Sequence, residues 1–528
     1  MSAAPGHVGR TVDCTIVRLL RSCDKRVRHR ILGDLLALAC GAITVLAFAP
    51  FNLYPLAILT LTTLFWLLNG TSVRRAFWRG FLFGVAEFSF GLYWLYISIH
   101  IVSGAPAWLT LLVIAAIVIA MAVYSGLACG LGVWFTPRAG MLRWVLLLPA
   151  LWVLLEWLRG WLLSGFPWLS LGYSQIGSVL KGYAPVLGVY GVSFAVVLSA
   201  GLLLSTLTLH AHWRSRFISI ALLVAVWVTG AVLLMIPWTR PSGAPIKVSL
   251  IQGNIPQSLK WDPQSFLLTL QRYHDLTAAH WDSRLIIWPE SAIPDYADDV
   301  QQDYLDPLEA EARKHGTDML IGILTENQTT GAAYNSVISL GGHDGVYNKR
   351  HLVPMAEYFP APAWVTRWLQ SMNLPYSSFT PGAARQPLLQ VAGYSVDTSI
   401  CYEDAFGSEI MRGLPQAAFL VNVSNDAWFG DSIALPQHFE ISRMRALEAG
   451  RFLLRDTNTG ITAVVNPAGE IVKKLDVDTA GVLTTDVPPY LGSTPYVRVG
   501  NIVIVLLCVV LILITVWLGR LREIEPVR

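Results

Sequence analysis

Eight long apolar runs separate this chain into two regions of different character. Seven of the runs precede Pro241, and the eighth lies near the C-terminus. They cover residues 31–50, 54–68, 81–99, 107–135, 144–163, 186–209, 217–238 and 502–518. Most are close to the ~20 residues that a membrane-spanning helix needs, although the second is short and the fourth is long. The pattern predicts a membrane α-helical bundle of about eight transmembrane helices.

Residues 243–495 show a different pattern, in which short β-rich runs are separated by helical stretches. The predicted strands cover 247–251, 284–288, 319–324, 336–340, 388–391, 396–400, 419–423 and 461–465, and two of the predicted helices cover 264–280 and 307–315. This alternation is typical of an α/β or α+β domain. Since both faces of its sheets need cover, we expect a layered sandwich with helices outside, inserted between the seventh and eighth apolar runs.

The composition supports a membrane protein and excludes one class of partner. Hydrophobic residues make up 54% of the 528 residues and charged residues only 14%, which is too apolar for a soluble enzyme of this length. The net charge of +3 is small, and the basic residues are scattered along short segments. We therefore expect no binding of nucleic acid.

The positions of the basic residues predict the orientation of the bundle. Residues 1–30 contain several arginines and no cleavable signal pattern, so they are expected to be a retained cytoplasmic tail. The positive-inside rule places the loops after the second, fourth and sixth runs in the cytoplasm, together with the C-terminal tail 520–528. The basic residues of those loops are Arg74, Arg75, Arg79, Arg138, Arg143, Arg214 and Arg216.

By this count the chain has a seven-helix region over 31–240, an outer domain over 243–495 and a final transmembrane helix over 499–519. The loop after the fifth run contains Lys181 and fits the charge pattern least well. Its sequence Gly165-Phe166-Pro167-Trp168-Leu169 is typical of an interfacial re-entrant stretch, with Trp168 at the depth of the lipid headgroups.

Cys401 is the only one of the six cysteines that lies in the outer domain. It follows the apolar run 396–400 and precedes Glu403 and Asp404, so its thiol is expected at a strand end. One interpretation is a buried structural cysteine, because free cysteines are often buried. The other is a nucleophile, and a solitary thiol facing an oxidising compartment favours a chemical role.

Glu290 and Lys349 also lie next to predicted strand ends in this domain. In an acyl transfer, Glu290 would take the thiol proton, Cys401 would attack a carbonyl, and Lys349 would stabilise the oxyanion. The backbone N–H of Tyr402 is a second candidate donor, and the ammonium is expected to favour the thiolate. The alternative for each charge is a solvated surface position.

Three motifs carry a resemblance: Trp288-Pro289-Glu290, Tyr347-Asn348-Lys349 and Cys401-Tyr402-Glu403. In this order they resemble the nitrilase superfamily, which implies an αββα sandwich and a Glu-Lys-Cys triad. With the eight-run frame, the chain resembles the bacterial apolipoprotein N-acyltransferases in particular. Further stretches that carry this match cover residues 252–256, 260–263, 351–360, 425–430, 437–438 and 444–448.

The resemblance implies a reaction that spacing alone does not show. An acyl chain would pass from a membrane phospholipid to Cys401, and then to the α-amino group of the diacylglyceryl-modified N-terminal cysteine of an apolipoprotein. Glu357 and Glu403 would support the triad. The enzyme would be a monomer in the bacterial inner membrane, with its catalytic domain on the periplasmic side. No cofactor is expected, and no metal, since His351 and His438 lack metal-ligand spacing.

Some features of the sequence leave alternatives open. Trp261 and Trp428 would line an acyl pocket or fill core, and Trp168 is a further candidate for substrate binding. The stretch 355–381 is expected to be a lid that dips toward the lipid, or a loop packed on the domain. A tethered amidase that releases its acyl-enzyme with water would use the same triad. A transporter fits less well, because charges inside the runs are few; Glu87 among them has no assigned role.

Overall fold

The structure is a computed structural model that describes residues 30–138, 140–208, 213–358 and 379–524. Nearly all of the expected cytoplasmic tail over 1–30 lies outside the described residues, as do residues 525–528 and most of the expected lid over 355–381. The described residues form a helical bundle and an inserted domain of two packed sheets, so the two-region organisation is observed.

Helices lie at all eight positions that the apolar runs predict. The first seven are α1 (Arg30–Ala47), α2 (Pro55–Leu67), α3 (Val73–Gly91), α4 (Ala107–Phe135), α5 (Leu148–Arg159), α6 (Ala184–Thr208) and α7 (Trp213–Leu234). A C-terminal helix, Ile502–Ile524, follows the inserted domain and packs against α5. A π-helical turn, Leu142–Leu147, leads into α5.

Five helices of the described residues are long and apolar enough to cross a membrane. They are Arg30–Ala47, Ala107–Phe135, Val179–Thr208, Trp213–Leu234 and Ile502–Arg520. Helix α2 has 13 residues, which at 1.5 Å per residue is short of the ~30 Å hydrocarbon thickness. Helices α3 and α5 each carry charged side chains inside the bundle. A membrane helical region is thus present, and the count of eight spans stays a prediction.

The third predicted run was wrong in its bounds. Instead of 81–99, the helix α3 covers Val73–Gly91, and a separate π-helical turn covers Ile97–Val102. The helix begins early because the Ser72 hydroxyl caps it by accepting a hydrogen bond from the Arg75 N–H. Arg75 and Arg79, which were expected in a loop, lie within α3 and form ion pairs with Asp34 of α1 at 2.8 and 3.2 Å.

The inserted domain contains two six-stranded sheets. A short pair of strands, β1 (Thr239–Pro241) with β14 (Tyr490–Gly492), closes its base next to the bundle. The first sheet has the order β13-β2-β3-β4-β5-β6 and the second has the order β12-β11-β10-β9-β8-β7. The strands are β2 (Ile246–Gln252), β3 (Leu285–Tyr296), β4 (Asp318–Asn327), β5 (Ala332–Leu340), β6 (Gly345–Asn348), β7 (Leu389–Val391), β8 (Tyr394–Ile400), β9 (Phe419–Ser424), β10 (Phe452–Thr457), β11 (Ala463–Val465), β12 (Ile471–Lys474) and β13 (Gly481–Val487).

The two sheets have matching topology. In each sheet three central strands run parallel, β2-β3-β4 in one and β8-β9-β10 in the other, and antiparallel strands complete both edges. The central strands read as continuous apolar runs, as β9 does, because both of their faces are buried. The site described below draws on residues at one edge of the sandwich: Cys401 follows β8, Lys349 follows the edge strand β6, and Glu290 lies within β3, where the pairing with β4 shifts its register.

Helices cover the outer faces of both sheets. The domain helices are α8 (Gln257–Lys260), α9 (Phe266–Ala278), α10 (Ala297–Val300), α11 (Asp306–His315), α12 (Gly407–Ile410), α13 (Ala434–Ala449) and α14 (Pro495–Val499). Helices α9 and α11 pack on the first sheet around Trp288 and Ile321. Helix α13 packs on the second sheet around Leu420 and Leu453. The layers are therefore α, β, β and α, as the sequence led us to expect.

Helix α13 is buried on every side. One face packs on the second sheet, and the opposite face meets the membrane region, where Glu448 accepts a hydrogen bond from the Val189 N–H at 2.7 Å. Arg445 donates to the Tyr173 hydroxyl at 3.4 Å. One helix therefore serves both as the outer layer of the sandwich and as its contact with the bundle.

Candidate active site

Cys401 lies at the point where β8 ends and a 3-10 turn, Cys401–Ala405, begins. Its φ is +53°, a left-handed conformation that non-glycine residues seldom adopt. Such backbone strain persists only where the surroundings hold it, and it is frequent at functional sites. Cys401 is placed directly after the carboxyl end of β8.

Glu403 holds this turn in place. Its carboxylate is fully buried and accepts four hydrogen bonds from two different segments. One oxygen accepts from the Ile400 N–H at 2.7 Å and the Tyr347 hydroxyl at 2.8 Å, and the other accepts from the Arg350 N–H at 2.6 Å and the His351 N–H at 3.1 Å. Glu403 thus ties the Cys401 turn to the segment that carries Lys349.

Lys349 is buried between two carboxylates. Its Nζ lies 2.8 Å from Glu357 Oε1 and 3.3 Å from Glu290 Oε1. Asn335 of β5 donates to the same two oxygens, at 3.1 and 2.7 Å respectively. The Glu290 and Glu357 side chains are therefore held side by side by one ammonium and one amide. Asn335 was not predicted, although a polar residue within the apolar run of β5 was a possible signal.

Glu290 is fixed from the second sheet as well. Its Oε2 accepts a hydrogen bond from the Asn425 N–H at 2.9 Å, directly after β9. In the same sheet the Asn422 side chain donates to the Cys401 carbonyl at 3.3 Å. Because β8 and β9 are neighbours, the structure brings the three predicted groups Glu290, Lys349 and Cys401 to one edge of the sandwich.

Electrostatics distinguish the roles that the lysine and the thiol can take. Burial lowers the pKa of Lys349, but the Glu357 and Glu290 carboxylates raise it more, so the net pKa is well above the usual value. Lys349 is therefore a permanent cation. Burial raises the pKa of Cys401, and the Glu290 carboxylate raises it further, while Lys349 lowers it.

The expectation that the site favours the thiolate is therefore wrong for the resting state. Burial and the nearby carboxylate outweigh the single ammonium. Cys401 rests as a thiol, and its proton has to be removed as the sulfur attacks. This makes a base next to the thiol necessary to the chemistry, and Glu290 is placed to be that base.

A buried ionic cluster lies behind the Cys401 turn, and the sequence did not predict it. His438 of α13 lies 3.0 Å from both Asp404 and Asp426, and Arg455 of β10 lies 3.1 Å from Asp404 and 2.9 Å from Asp426. Arg455 also donates to the Asn422 side-chain oxygen at 2.5 Å. The cluster therefore supports the residue that contacts the Cys401 carbonyl. The arginine in the buried strand β10 was a possible signal.

The membrane region reaches the site through the loop between α5 and α6. The Tyr402 hydroxyl donates to the Gly165 carbonyl at 3.3 Å. Trp168 donates through its ring N–H to Gln437 of α13 at 2.7 Å, and its ring packs near His438 with centroids 5.8 Å apart. The residue next to the thiol is thus bonded directly to the membrane loop.

The three tryptophans that were expected to bind substrate have different surroundings. Trp168 is 1% exposed and fills the junction between the bundle and the domain. Trp261 is 50% exposed, next to the buried Lys260. Trp428 is partly buried, and its carbonyl accepts a hydrogen bond from the Ser98 hydroxyl at 2.7 Å. Their roles in binding stay predictions, as do those of the other site residues.

Glu87, which had no assigned role, is buried in the bundle. Together with Glu156 and Arg159 it lines a small cavity between α3, α4 and α5. Arg159 in turn donates to the Phe166 and Trp168 carbonyls at 3.0 and 2.6 Å. These three charged residues therefore lie around the base of the loop that reaches the site.

The four-layer sandwich, with a carboxylate, an ammonium and a thiol at one edge, defines a domain of the nitrilase class carried on a membrane bundle. Two family models match the chain. Residues 247–496 match the family model "Carbon-nitrogen hydrolase", and residues 40–202 match "Apolipoprotein N-acyltransferase N-terminal domain". The carbon-nitrogen hydrolase from Helicobacter pylori G27 is a solved structure with 16% identity and a TM-score of 0.35, covering 48% of this chain and 91% of its own.

Curated relatives match nearly the whole chain. The apolipoprotein N-acyltransferase of Methylococcus capsulatus is 44% identical over 88% of this chain and 92% of its own length. The apolipoprotein N-acyltransferase of Nitrosomonas europaea is 42% identical over 88% of this chain and 93% of its own length. The one of Chromobacterium violaceum is 42% identical over 94% of this chain and 95% of its own length.

The chain belongs to the apolipoprotein N-acyltransferase family. The family expected from the motifs is confirmed, and so is the enzyme class, an N-acyltransferase of lipoprotein maturation.

Proposed function

We propose that the enzyme takes an acyl chain from a membrane phospholipid as a thioester on Cys401. It then passes the chain to the α-amino group of the diacylglyceryl-modified N-terminal cysteine of an apolipoprotein. Beyond the N-acylation that defines the family, this names the acyl donor, the covalent intermediate and the residues that carry out the reaction. It is supported by the buried arrangement of Glu290, Lys349 and Glu357 at the edge where Cys401 lies.

In the first half-reaction Glu290 takes the thiol proton while the Cys401 sulfur attacks the ester carbonyl of the phospholipid. Lys349 and the Tyr402 N–H stabilise the oxyanion that forms. The C–O bond then breaks, and the proton on Glu290 passes to the leaving oxygen, which releases lysophospholipid. The products are a thioester on Cys401 and a carboxylate at Glu290, so protons and charges balance.

In the second half-reaction the amine of the apolipoprotein attacks the thioester carbonyl. Glu290 takes a proton from the attacking nitrogen, and the C–S bond breaks to leave the Cys401 sulfur. Glu290 then returns a proton to that sulfur, which restores the thiol. Glu357 and Glu403 do not contact the reacting atoms in this scheme; Glu357 orients Lys349, and Glu403 fixes the Cys401 turn.

The observation that carries the proposal is the hydrogen bond between Tyr402 and Gly165. It joins the residue next to the nucleophile to a loop of the membrane region. A site bound to the membrane base at this point is suited to substrates that are themselves anchored in lipid, since their acyl chains do not have to leave the bilayer. Trp168, Trp261 and Trp428 are proposed to line the path of those chains.

The location of the domain is proposed from the charge pattern of the loops. The chain is a bacterial membrane protein, and we place it in the inner membrane as a monomer, with residues 243–495 on the periplasmic side. The support is the alternation of basic loops, in which Arg138 and Arg143 fall on the cytoplasmic side. Residues 31–240 and 499–519 would form the membrane base.

A membrane-tethered amidase is the alternative, because the catalytic region matches a carbon-nitrogen hydrolase family. The two functions differ in the fate of the acyl-enzyme. An amidase admits water and releases the acyl group as a free acid, whereas a transferase keeps water away until an amine arrives. The stability of the acyl-enzyme without an acceptor therefore separates them.

The test is the intact mass of the full-length enzyme after incubation with phospholipid and no acceptor. We expect a gain equal to one acyl group, and its loss in neutral hydroxylamine, which cleaves thioesters. The adduct should be absent in Cys401→Ala and present in the matched control Cys508→Ala, whose thiol lies in the C-terminal helix. An adduct in Cys401→Ala, or steady release of free fatty acid without an adduct, would contradict the proposal.

A further inference from the structure

A second lysine is buried beside the proposed site. Lys260, the last residue of α8, is 4% exposed. Its Nζ donates to the backbone carbonyl of Glu290 at 2.8 Å. Within the described residues, no carboxylate lies within 4 Å of this ammonium. A buried lysine without a carboxylate partner is costly and therefore rare, which suggests that its charge has a use.

The charges around Glu290 identify that use. Two carboxylates, Glu290 and Glu357, share the single ammonium of Lys349, so the cluster has one unbalanced negative charge. A thiolate at Cys401 would add another. Lys260 supplies the missing positive charge next to Glu290, where it contacts the backbone carbonyl and not the carboxylate. With Lys260 charged, the set of five groups is neutral overall, both before and after the Cys401 proton moves to Glu290.

We propose that Lys260 is a positioning residue that fixes Glu290 through its carbonyl and stabilises the Cys401 thiolate by its charge. The proposal rests on the proposed function, in which Cys401 is the nucleophile and Glu290 the base. Lys260 does not contact the reacting atoms. It acts on them through the backbone of Glu290 and through the electric field across the site.

The titration of Lys260 gives the proposal a recognisable signature. Burial lowers its pKa from 10.5 to about 8, although the negative charges of Glu290 and Cys401 act in the opposite direction. Because electrostatic attraction is mutual, a charged Lys260 stabilises the Cys401 thiolate as much as the thiolate stabilises it. This support is present below pH 8 and is lost as the pH rises further.

Burial lowers the pKa of His438 but Asp404 raises it more, to about 9, so His438 also titrates near this window; it does so alike in the wild type and in the Lys260 variants. Lys349 stays protonated because its pKa is well above 10.5. Asp426, which also acts on Cys401, has a pKa far below its usual value because Arg455 and His438 outweigh its burial. A change in thiol reactivity near pH 8 that depends on residue 260 therefore reports the charge of Lys260.

The experiment is the rate of iodoacetamide alkylation at Cys401, followed by mass spectrometry of the peptide, for the full-length enzyme in detergent from pH 6 to 10. Lys260→Gln keeps a donor for the Glu290 carbonyl and removes the charge. We expect the wild type to react about tenfold faster than this variant below pH 7.5, which corresponds to about one pKa unit in the thiol. The two rates should converge above pH 9.

The matched control is Lys473→Gln. Lys473 is an exposed lysine of the same domain that also donates to a backbone carbonyl, that of Thr484, at 2.9 Å. Its variant should react like the wild type at every pH. The proposal is overturned if the wild type and Lys260→Gln are alkylated at the same rate at every pH. It is also overturned if the ratio of the two rates does not change with pH, as expected for a purely structural defect.

A folding defect is distinguished by a second variant. If Lys260→Gln shows no thermal unfolding transition and so is not folded, Lys260→Arg is compared with the wild type in the same alkylation assay. Arginine keeps its positive charge above pH 9, where Lys260 has lost its own. That variant should then alkylate faster than the wild type at high pH, and a rate equal to or below the wild type there counts against the proposal. Failure of the proposed function itself would appear separately, as an acyl adduct that persists in Cys401→Ala.

Discussion

Glu403→Gln gives a direct measure of how strongly the Cys401 turn is held. The substitution keeps the size of the side chain and replaces one carboxylate oxygen with an NH2 group. In the structure that carboxylate accepts four hydrogen bonds. The best orientation of glutamine keeps its oxygen on the Arg350 and His351 N–H groups. Its NH2 group then faces the Tyr347 hydroxyl, which can turn to accept, and the Ile400 N–H, which cannot.

The cost follows from these contacts. The Ile400 N–H is left buried without an acceptor, at about 1–3 kcal/mol, and the remaining bonds lose the strength that the charge gave them. The total is about 2–4 kcal/mol, which in a domain of this size lowers the thermal midpoint by roughly 5–15 °C. The strained Cys401 conformation also loses the bond at its preceding amide, so we expect acylation at Cys401 to fall by about tenfold or more.

The assay combines the thermal midpoint of the purified enzyme with the rate of acyl adduct formation. Tyr347→Phe is the graded comparison, since it removes only one of the four donors and should cost about 1 kcal/mol. Glu326→Gln, at the exposed end of β4, should change neither quantity. A Glu403→Gln enzyme with the midpoint and acylation rate of the wild type would refute the reasoning.

Three further predictions follow from the charges. Lys349→Arg should lower turnover about 10²-fold in the acyl-transfer assay despite keeping the charge, because a planar guanidinium does not replace a compact donor between two carboxylates; near-normal turnover would remove Lys349 from the site. Burial lowers the pKa of His438, but Asp404 and Asp426 raise it more, to about 9 from 6.5. The stability that His438 contributes is then complete below pH 6.5 and lost as the pH rises through 9, so the thermal midpoint should fall over that window in the wild type and not in His438→Gln. A reporter that works only in the cytoplasm should be silent when fused after Pro263, and its activity there would overturn the proposed topology.

Much of the fold could be predicted because its signals are local. Parallel strands such as β9 are continuous apolar runs, and the observed bounds Phe419–Ser424 differ by one residue from the prediction. Strand β10 was not among the predicted strands, since Arg455 and Asp456 interrupt its apolar pattern. Those two charges are buried in partnerships with residues far along the chain, which a local pattern cannot show.

The site was predictable to the extent that motifs mark strand ends. Glu290, Lys349 and Cys401 each follow a short apolar run, and the structure brings them to one edge. The protonation of Cys401 was not predictable, because it depends on how completely the thiol is buried and on the balance of Glu290 against Lys349. In the sequence, Lys260 stands out only as the first residue of the stretch 260–263, which contributes to the family resemblance. Its contact with Glu290 exists only once α8 packs against β3.

Helix α13 determines whether the catalytic domain can be isolated from the membrane region. One face of Ala434–Ala449 packs on the second sheet and the other contacts the membrane region. A fragment that contains only the catalytic domain would therefore expose a face of this helix that is buried in the full-length protein. Residues 243–495 alone would expose Glu448 and Arg445, with the apolar side chains around them, to water. In this protein the outer helical layer of the sandwich is at the same time an internal layer between the second sheet and the membrane region. We expect attempts to crystallise or evolve the domain as a free-standing protein to require a redesigned α13.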